Sequence, residues 1–276
     1  MHNNPPEYGL LADTAWFYLL DKIMDRGIVS QPRGFPIKEV LGCQTEIDMR
    51  YPIISNKTRK LSRKFQFREA WWIISGRNDL AALETHIRNY ERFSDDGIYL
   101  SGAYGPKIVD QLTYITNTLS TDVDSRQAVI NIWRERPPAS ADIPCTLSLQ
   151  FLIRHYRLYL IATMRSSDAW LGWPYDVFSF SSLAAYVLLL LRYRSIDRFG
   201  HIDLGNLMLT TGSGHVYESN FERVKEILAM GNNPLDYAPL NVSDFSSPNE
   251  FLRYLETASD GLPLGKPWLK EFVKNG

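Results

Sequence analysis

The sequence predicts a layered fold of the α/β (α+β) type, a mixed β-sheet flanked by helices. Two observations carry this expectation. Up to about residue 121 the apolar side chains recur at helical spacing, and from about residue 128 successive β-branched segments alternate with a period of two. A long apolar block, Pro174 to Arg192, then separates these strands from one more strand and a closing helix.

The elements follow in order. "DTAWFYLLDKIMDRG" reads as an amphipathic helix stopped near Gly27. "SQPRGFP" is a loop, because two prolines and a glycine crowd seven residues. Thr58 to Ile74 reads as a helix ending at Gly76, with Asn78 or Asp79 placed to cap another, and "IVDQLTYITNTLS" is the next helix. "AVINIWR", "CTLSLQFLI" and "RLYLIATM" read as three strands. Pro174 to Arg192 is a mostly apolar helix, "IDLGNLMLT" a strand and "HVYESNFERVKEILA" the closing helix. Neither a repeat nor a Gly-, Ser- or Pro-rich linker divides the chain, so residues 1–276 read as a single domain.

Composition narrows the function classes. A hydrophobic content of 45% with 22% charged residues suits a globular chain with a substantial core. The net charge of −1 supplies no general attraction to nucleic acid or to an anionic membrane, so neither is expected as a partner. Anion binding must come from local arginines. Cys43 and Cys145 lie far apart, without CxxC spacing or nearby histidines, which argues against a metal site or a disulfide framework and fits a reducing cytoplasm. "MHNNPPEYGLLADTAW" lacks the basic start and apolar stretch of a signal peptide, and the apolar run Leu183 to Leu191 is too short to span a bilayer.

Several residues could carry chemistry. Cys145 follows Pro144 at the start of an alternating strand; it is a small buried hydrophobe or, with cations such as Arg126 and Arg165 nearby, a thiolate nucleophile. Glu69 stands among Ala70, Trp71 and Trp72, either paired on a helix face or raised in pKa by apolar neighbours so that it can shuttle protons. His215 and Tyr217, after "TTGSG", suit hydroxyl binding at a strand end or ordinary capping at a helix start.

Taken in order, "REAWWIISG", "GAYGP", "DSRQAVINIW", "IPCTLSLQF", "MRSSDAWLGWPYD" and "GSGHVY" resemble the thymidylate synthase family, from roughly Asp25 to Leu228. The resemblance implies a homodimer that attaches a one-carbon unit from 5,10-methylenetetrahydrofolate to a pyrimidine nucleoside monophosphate, with no metal. It implies Cys145 as nucleophile, Glu69 as proton-managing carboxylate and Tyr104 near the nucleophile. Arg165, Ser166 and, across a gap in the match, Arg33 correspond to phosphate ligands, and Arg126 to an arginine donated across the dimer. His215 and Tyr217 correspond to sugar-hydroxyl contacts, with Gln150 in the same ligand shell and Gly172 where the backbone nears the nucleotide. Asp168 and Trp72 fall on the folate side.

The departures point to a subclass. Thymidylate synthases have Asn where this chain has Asp176, and usually His where it has Thr146. An amide matches uracil, whereas a carboxylate offers only acceptors and suits the amino group of cytosine. The resemblance is therefore to the phage deoxycytidylate hydroxymethylases, in which water rather than hydride completes the reaction. Tyr90 and Phe93 stand where synthases carry two tryptophans, and "KEFVKNG" lacks the synthase ending. Gln127 replaces a second arginine, which leaves the ribonucleotide open. The alternatives are a methylating synthase on deoxyuridylate or cytidylate, a CMP hydroxymethylase, and a catalytically silent nucleotide-binding homologue.

Overall fold

A computed structural model describes residues 9–87, 90–137, 139–261 and 268. The order is α1 (Ala12–Arg26), β1 (Ile28–Ser30), β2 (Ile37–Asp48), α2 (Arg63–Ile74), α3 (Ala81–Glu84), α4 (Gly105–Thr121), β3 (Val129–Asn131), β4 (Thr146–Arg154) and β5 (Arg157–Asp168). Then come α5 (Trp173–Arg194), α6 (Ile196–Phe199), β6 (Asp203–Tyr217), α7 (Phe221–Met230) and α8 (Pro248–Ser259). The expected mixed sheet flanked by helices is present, with six strands in the order β1-β2-β6-β5-β4-β3.

Several boundaries differ from the sequence reading. Helix α2 starts at Arg63 rather than Thr58, because the Ser62 hydroxyl caps it by accepting from the Phe65 N–H at 3.2 Å. Asn56 instead caps a separate 3₁₀ turn, Lys57–Arg59, which Lys60 leaves with φ +49°. The strand read from "AVINIWR" shrinks to Val129–Asn131. Strand β6 runs on through "TTGSGHVY", so the helix read from "HVYESNFERVKEILA" begins only at Phe221, and α8 follows it. Gly212 does not break β6: a Cβ there would lie 2.7 Å from the Arg165 carbonyl, so the glycine lets β5 and β6 approach. Strand β2 escaped the sequence reading because "IKEVLGCQTEID" mixes charged and polar residues into both faces, leaving only Ile37, Cys43, Ile47 and Asp48 buried.

All strand pairs are antiparallel except β5 with β6. That one parallel pair sets the site. The C-terminal ends of β5 and β6 lie side by side, with Ser166 opposite Ser213 and Asp168 opposite His215. Strand β4 runs the other way, so its start comes to the same place, and the Arg165 N–H donates to the Cys145 carbonyl at 2.8 Å. The start of β2 arrives there too, with Ile37 opposite Tyr217.

Helices α1 and α5 pack on the sheet, and α2 packs on α5 and α8. Trp16 pins α1 to the end of β5 by donating from Nε1 to the Ala169 carbonyl at 2.7 Å. Trp268 stacks on Phe178 at 5.9 Å and on Tyr254 at 5.8 Å between ring centres. Burial of a side chain such as Phe178 contributes about 1.5–3 kcal/mol. Helix α5 is long and apolar enough to cross a membrane, but 78% of its apolar window is buried inside the protein, as a core helix should be.

Candidate active site

Cys145 immediately precedes β4, at a bulge between Thr146 and Ser148. The Arg165 guanidinium straps the segment before it, donating from Nε to the Pro144 carbonyl at 3.0 Å and from Nη2 to the Ile143 carbonyl at 2.9 Å. Its Nη1 donates to the Ser166 hydroxyl at 3.2 Å, and that hydroxyl donates to Cys145 Sγ at 3.7 Å. Burial pushes Cys145 up. Arg165 does draw the thiol down, as expected of a nearby cation, and Ser166 acts in the same direction, but burial outweighs them. The resting group is therefore a thiol whose proton must leave as it reacts. Cys43 is buried in the sheet.

Asp168 ends β5. Its Oδ1 accepts from the Trp170 and Leu171 N–H groups at 2.8 and 3.0 Å, while its buried Oδ2 has no hydrogen-bond partner among the described residues. Burial raises its pKa against those two bonds and the charges of His215 and Arg59. An acceptor buried without a donor marks a place where a ligand's N–H would be welcome. The ring of His215, opposite Asp168, meets Tyr217 edge-on at 5.3 Å. Phe35 packs edge-on to Tyr217 at 6.3 Å, and this brings the exposed Arg33 turn to the same sheet end. Arg33 itself has φ +54°, a left-handed conformation inside a 3₁₀ turn.

Behind this rim lies a pair of carboxyls. After β5 the chain turns through Gly172, and Asp176 falls in the first turn of α5. Gln66, buried in α2, donates from Nε2 to the Pro174 carbonyl at 3.2 Å and so fixes α2 against that turn. Glu69, three residues on, shares its helix face. Burial pushes Glu69 up to about 8, with Asp176 adding to the rise. Burial likewise pushes Asp176 up to about 7, with Asp168 adding to it. A helix N-terminus favours an anion by only about 0.3–1 kcal/mol, less than desolvation costs here. The acceptor-only picture of Asp176 is thus amended, since near neutral pH the neutral acid is well populated. The Tyr104 hydroxyl is pushed well above its ordinary value by burial first and by the neighbouring Asp176 and Cys145 next.

These raised carboxyls predict how stability follows pH. Unfolded, both titrate near about pH 4. The folded protein therefore holds the extra protons between about pH 4 and 8, and stability from these groups is present at low pH and lost as pH rises through 7 to 8. Urea melts of the free protein should show stability falling from pH 6 to pH 9. Glu69→Gln should flatten that slope and be more stable than wild type at pH 8.5 by about 1–2 kcal/mol. An unchanged slope would show that Glu69 ionises freely.

The remaining candidates divide. A Cβ on Gly172 would stand at ordinary contact distance, 3.6 Å, from Asp176 Oδ2, so the protein itself does not demand a glycine and the space is open to a ligand. Arg126 is exposed on the loop before β3, and Gln150 donates from Nε2 to its carbonyl at 2.8 Å, so Gln150 holds that loop. Gln127 is exposed beside it, its carbonyl accepting from the Tyr114 hydroxyl at 3.1 Å. Trp72 is only 5% exposed, and its Nε1 donates to the Asp79 carbonyl at 2.9 Å; it is a core residue with no open face for a folate ring. Tyr90 packs edge-on to Phe65 and Phe93, and burial raises its hydroxyl's pKa, with the charges of Glu69, Asp142 and Asp176 adding to the rise. The "KEFVKNG" ending lies outside the described residues. No cluster of three His, Cys, Asp or Glu side chains suited to a metal occurs among the described residues.

Sequence reasoning passed over Gln66 and Arg59. Helical spacing from Glu69 was a signal for the first. Arg59 gave none, since "KTRK" reads as a surface run. It stacks on Trp170 at 4.6 Å and donates to the Trp170 carbonyl at 2.5 Å, beside Asp168.

Comparison with known proteins agrees with this arrangement. Residues 14–253 match the family model described as Thymidylate synthase. Over 267 residues the chain is 28% identical to the Deoxyuridylate hydroxymethyltransferase of Bacillus phage SP01, a match that covers 86% of this chain and 66% of that relative's length.

Proposed function

We propose that this chain, which belongs to the thymidylate synthase family, is a deoxycytidylate 5-hydroxymethyltransferase. It would act as a homodimer, with the exposed Arg126 reaching the partner's bound phosphate. The observation that carries the base assignment is Asp176, an ionisable side chain in the first turn of α5 facing the open space beside Gly172.

Each residue then has a task. Arg165 and Ser166, with Arg33, take the phosphate, for which a guanidinium fork is well shaped. His215 and Tyr217 meet the sugar. Cys145 adds to carbon 6 of the base, which makes carbon 5 nucleophilic. As sulfur bonds, negative charge gathers on ring nitrogen 3 of cytosine, and Asp176 in its acid form gives that nitrogen a proton while its other oxygen accepts from the 4-amino group. An amide can donate a hydrogen bond there but cannot release the proton.

Bound methylenetetrahydrofolate supplies the one-carbon unit at the oxidation level of formaldehyde. Asp168 suits its pterin, since its buried Oδ2, without a partner among the described residues, can accept from ring N–H donors. Carbon 5 gains the carbon and loses its hydrogen as a proton, with Glu69 placed to receive it. The carbon's bond to the folate nitrogen would then break, with tetrahydrofolate as leaving group; water adds to the exocyclic carbon, Cys145 leaves as the thiol, and no electrons are transferred overall. Tyr90, smaller than an indole and polar at its tip, leaves room for that water.

A second reading is deoxyuridylate as substrate. The relative's name and the raised Asp176 favour it, because a neutral acid also offers one donor and one acceptor, the pattern uracil needs. The deciding experiment is mass spectrometry of products from mixed dCMP, dUMP, CMP and UMP with the folate. Hydroxymethyl-dCMP as the dominant product is expected. Hydroxymethyl-dUMP would transfer the assignment to the second reading, a methyl product with dihydrofolate absorbance would make the chain a synthase, and no product would leave a silent homologue.

A further inference from the structure

Two loops beside Cys145, residues 94–104 and the segment before β4, are joined by hydrogen bonds that the chemistry above does not use. Asp142, three residues before Cys145, accepts through Oδ2 from the Gly102 N–H at 2.7 Å, and Gly102 is two residues before Tyr104. Asp95, two residues after Phe93, accepts through Oδ1 from the Ala141 N–H at 2.8 Å. Through Oδ2 it accepts from the Ser140 hydroxyl at 2.5 Å and the Ser101 hydroxyl at 3.0 Å. Ser140 in turn accepts from the Asp142 N–H at 3.0 Å. On its other side the Cys145 segment is held by Arg165.

The fit leaves no slack at Gly102, where a Cβ would lie 2.7 Å from Asp142 Oδ1 and 2.9 Å from the Asp142 carbonyl. Asp142 is half-buried, so removing it would strand the Gly102 N–H. Its charge also reaches Cys145 and Tyr90, as expected of a group between them.

We propose that Asp142 and Asp95 form a clasp of positioning residues that sets the sulfur of Cys145 against the Tyr104 hydroxyl and the Tyr90 ring. The proposal rests on the reading of Cys145 as nucleophile. A displacement of about 1 Å at a reacting atom can cost about 100-fold in rate, which is the scale of effect expected.

The test uses the full chain and whichever pyrimidine nucleotide the wild type turns over. Asp142→Ala and Asp95→Ala should each lower kcat by about 30- to 100-fold, with the nucleotide Kd within about 3-fold of wild type. Asp142→Asn keeps an acceptor for Gly102 and should recover most of the loss. Gly102→Ala, which leaves both carboxylates in place but forces the loops apart, should reproduce the defect. Amide hydrogen exchange supplies an activity-free readout: Gly102 should exchange faster in Asp142→Ala, and Ala141 faster in Asp95→Ala. Wild-type kcat in the alanine variants, or an Asn variant no better than Ala, would overturn the clasp. So would unchanged exchange at both amides. An inactive wild type with the expected exchange changes would sink the functional reading and leave the clasp standing.

Discussion

Replacing Cys145 by Ala is expected to abolish turnover, by at least about 10⁴-fold, and with it the folate-independent exchange of the hydrogen at carbon 5 of the nucleotide. The two losses should coincide, because both need the carbon 6–sulfur bond. Nucleotide affinity should survive, since the proposed assignment gives the phosphate and sugar contacts to Arg165, Ser166, His215 and Tyr217 rather than to the thiol. The alanine also removes the acceptor of the Ser166 hydroxyl, whose second partner, Arg165 Nη1, remains. Release of tritium from nucleotide labelled at carbon 5 is the measurement. Exchange that persists in the alanine variant would take the covalent step out of the mechanism.

The raised thiol sharpens this expectation. Burial holds Cys145 above its ordinary pKa despite Arg165, so the free enzyme carries little thiolate near neutral pH. A bound phosphate would neutralise part of the Arg165 charge and so cannot be the activator. Activation is left to proton transfer as the sulfur attacks, with Tyr104 and Asp176 as neighbouring groups able to exchange protons.

How much of this was legible in the sequence follows from which signals are local. The alternation of "CTLSLQFLI" and "RLYLIATM" identified β4 and β5, because each strand buries one face and advertises it. Strand β2 did not advertise itself. Its polar side chains serve the sheet end, as when Glu39 accepts from the hydroxyls of Ser30 and Ser213, and that purpose is invisible until β6 lies alongside. The motif order placed Cys145, Arg165, Asp168 and His215 in one site, whereas spacing alone had left each with an ordinary structural reading. The parallel pairing of β5 with β6 is what unites them, and pairing is a long-range fact. Trp72 shows the opposite failure. Glu69, three residues earlier, lies only about 60° away round the helix, yet the Trp72 indole packs into the core and donates to the Asp79 carbonyl. The pKa of Asp176 was likewise unreadable, because it depends on burial between α2 and α5.

Replacing Asp176 by Asn is expected to lower kcat/KM for dCMP by about 100- to 1,000-fold while changing that for dUMP by less than about 10-fold. The argument turns on what each base requires as sulfur adds. In uracil, nitrogen 3 already carries hydrogen and the charge collects on the 4-oxygen, which an amide N–H can stabilise without surrendering its proton. In cytosine the charge collects on nitrogen 3 itself, and only a group that can release a proton neutralises it. The acid form of Asp176 must therefore be present, so kcat/KM for dCMP should fall as pH rises above about 7. The asparagine variant should lack that limb. Competition between dCMP and dUMP across pH 6 to 9 measures both consequences together. A variant that kept the wild-type preference for dCMP, or one that kept the alkaline limb, would place the discrimination in another residue. Glu69, titrating near 8, would then be the first to test, because its charge and that of Asp176 act on each other across the same buried space.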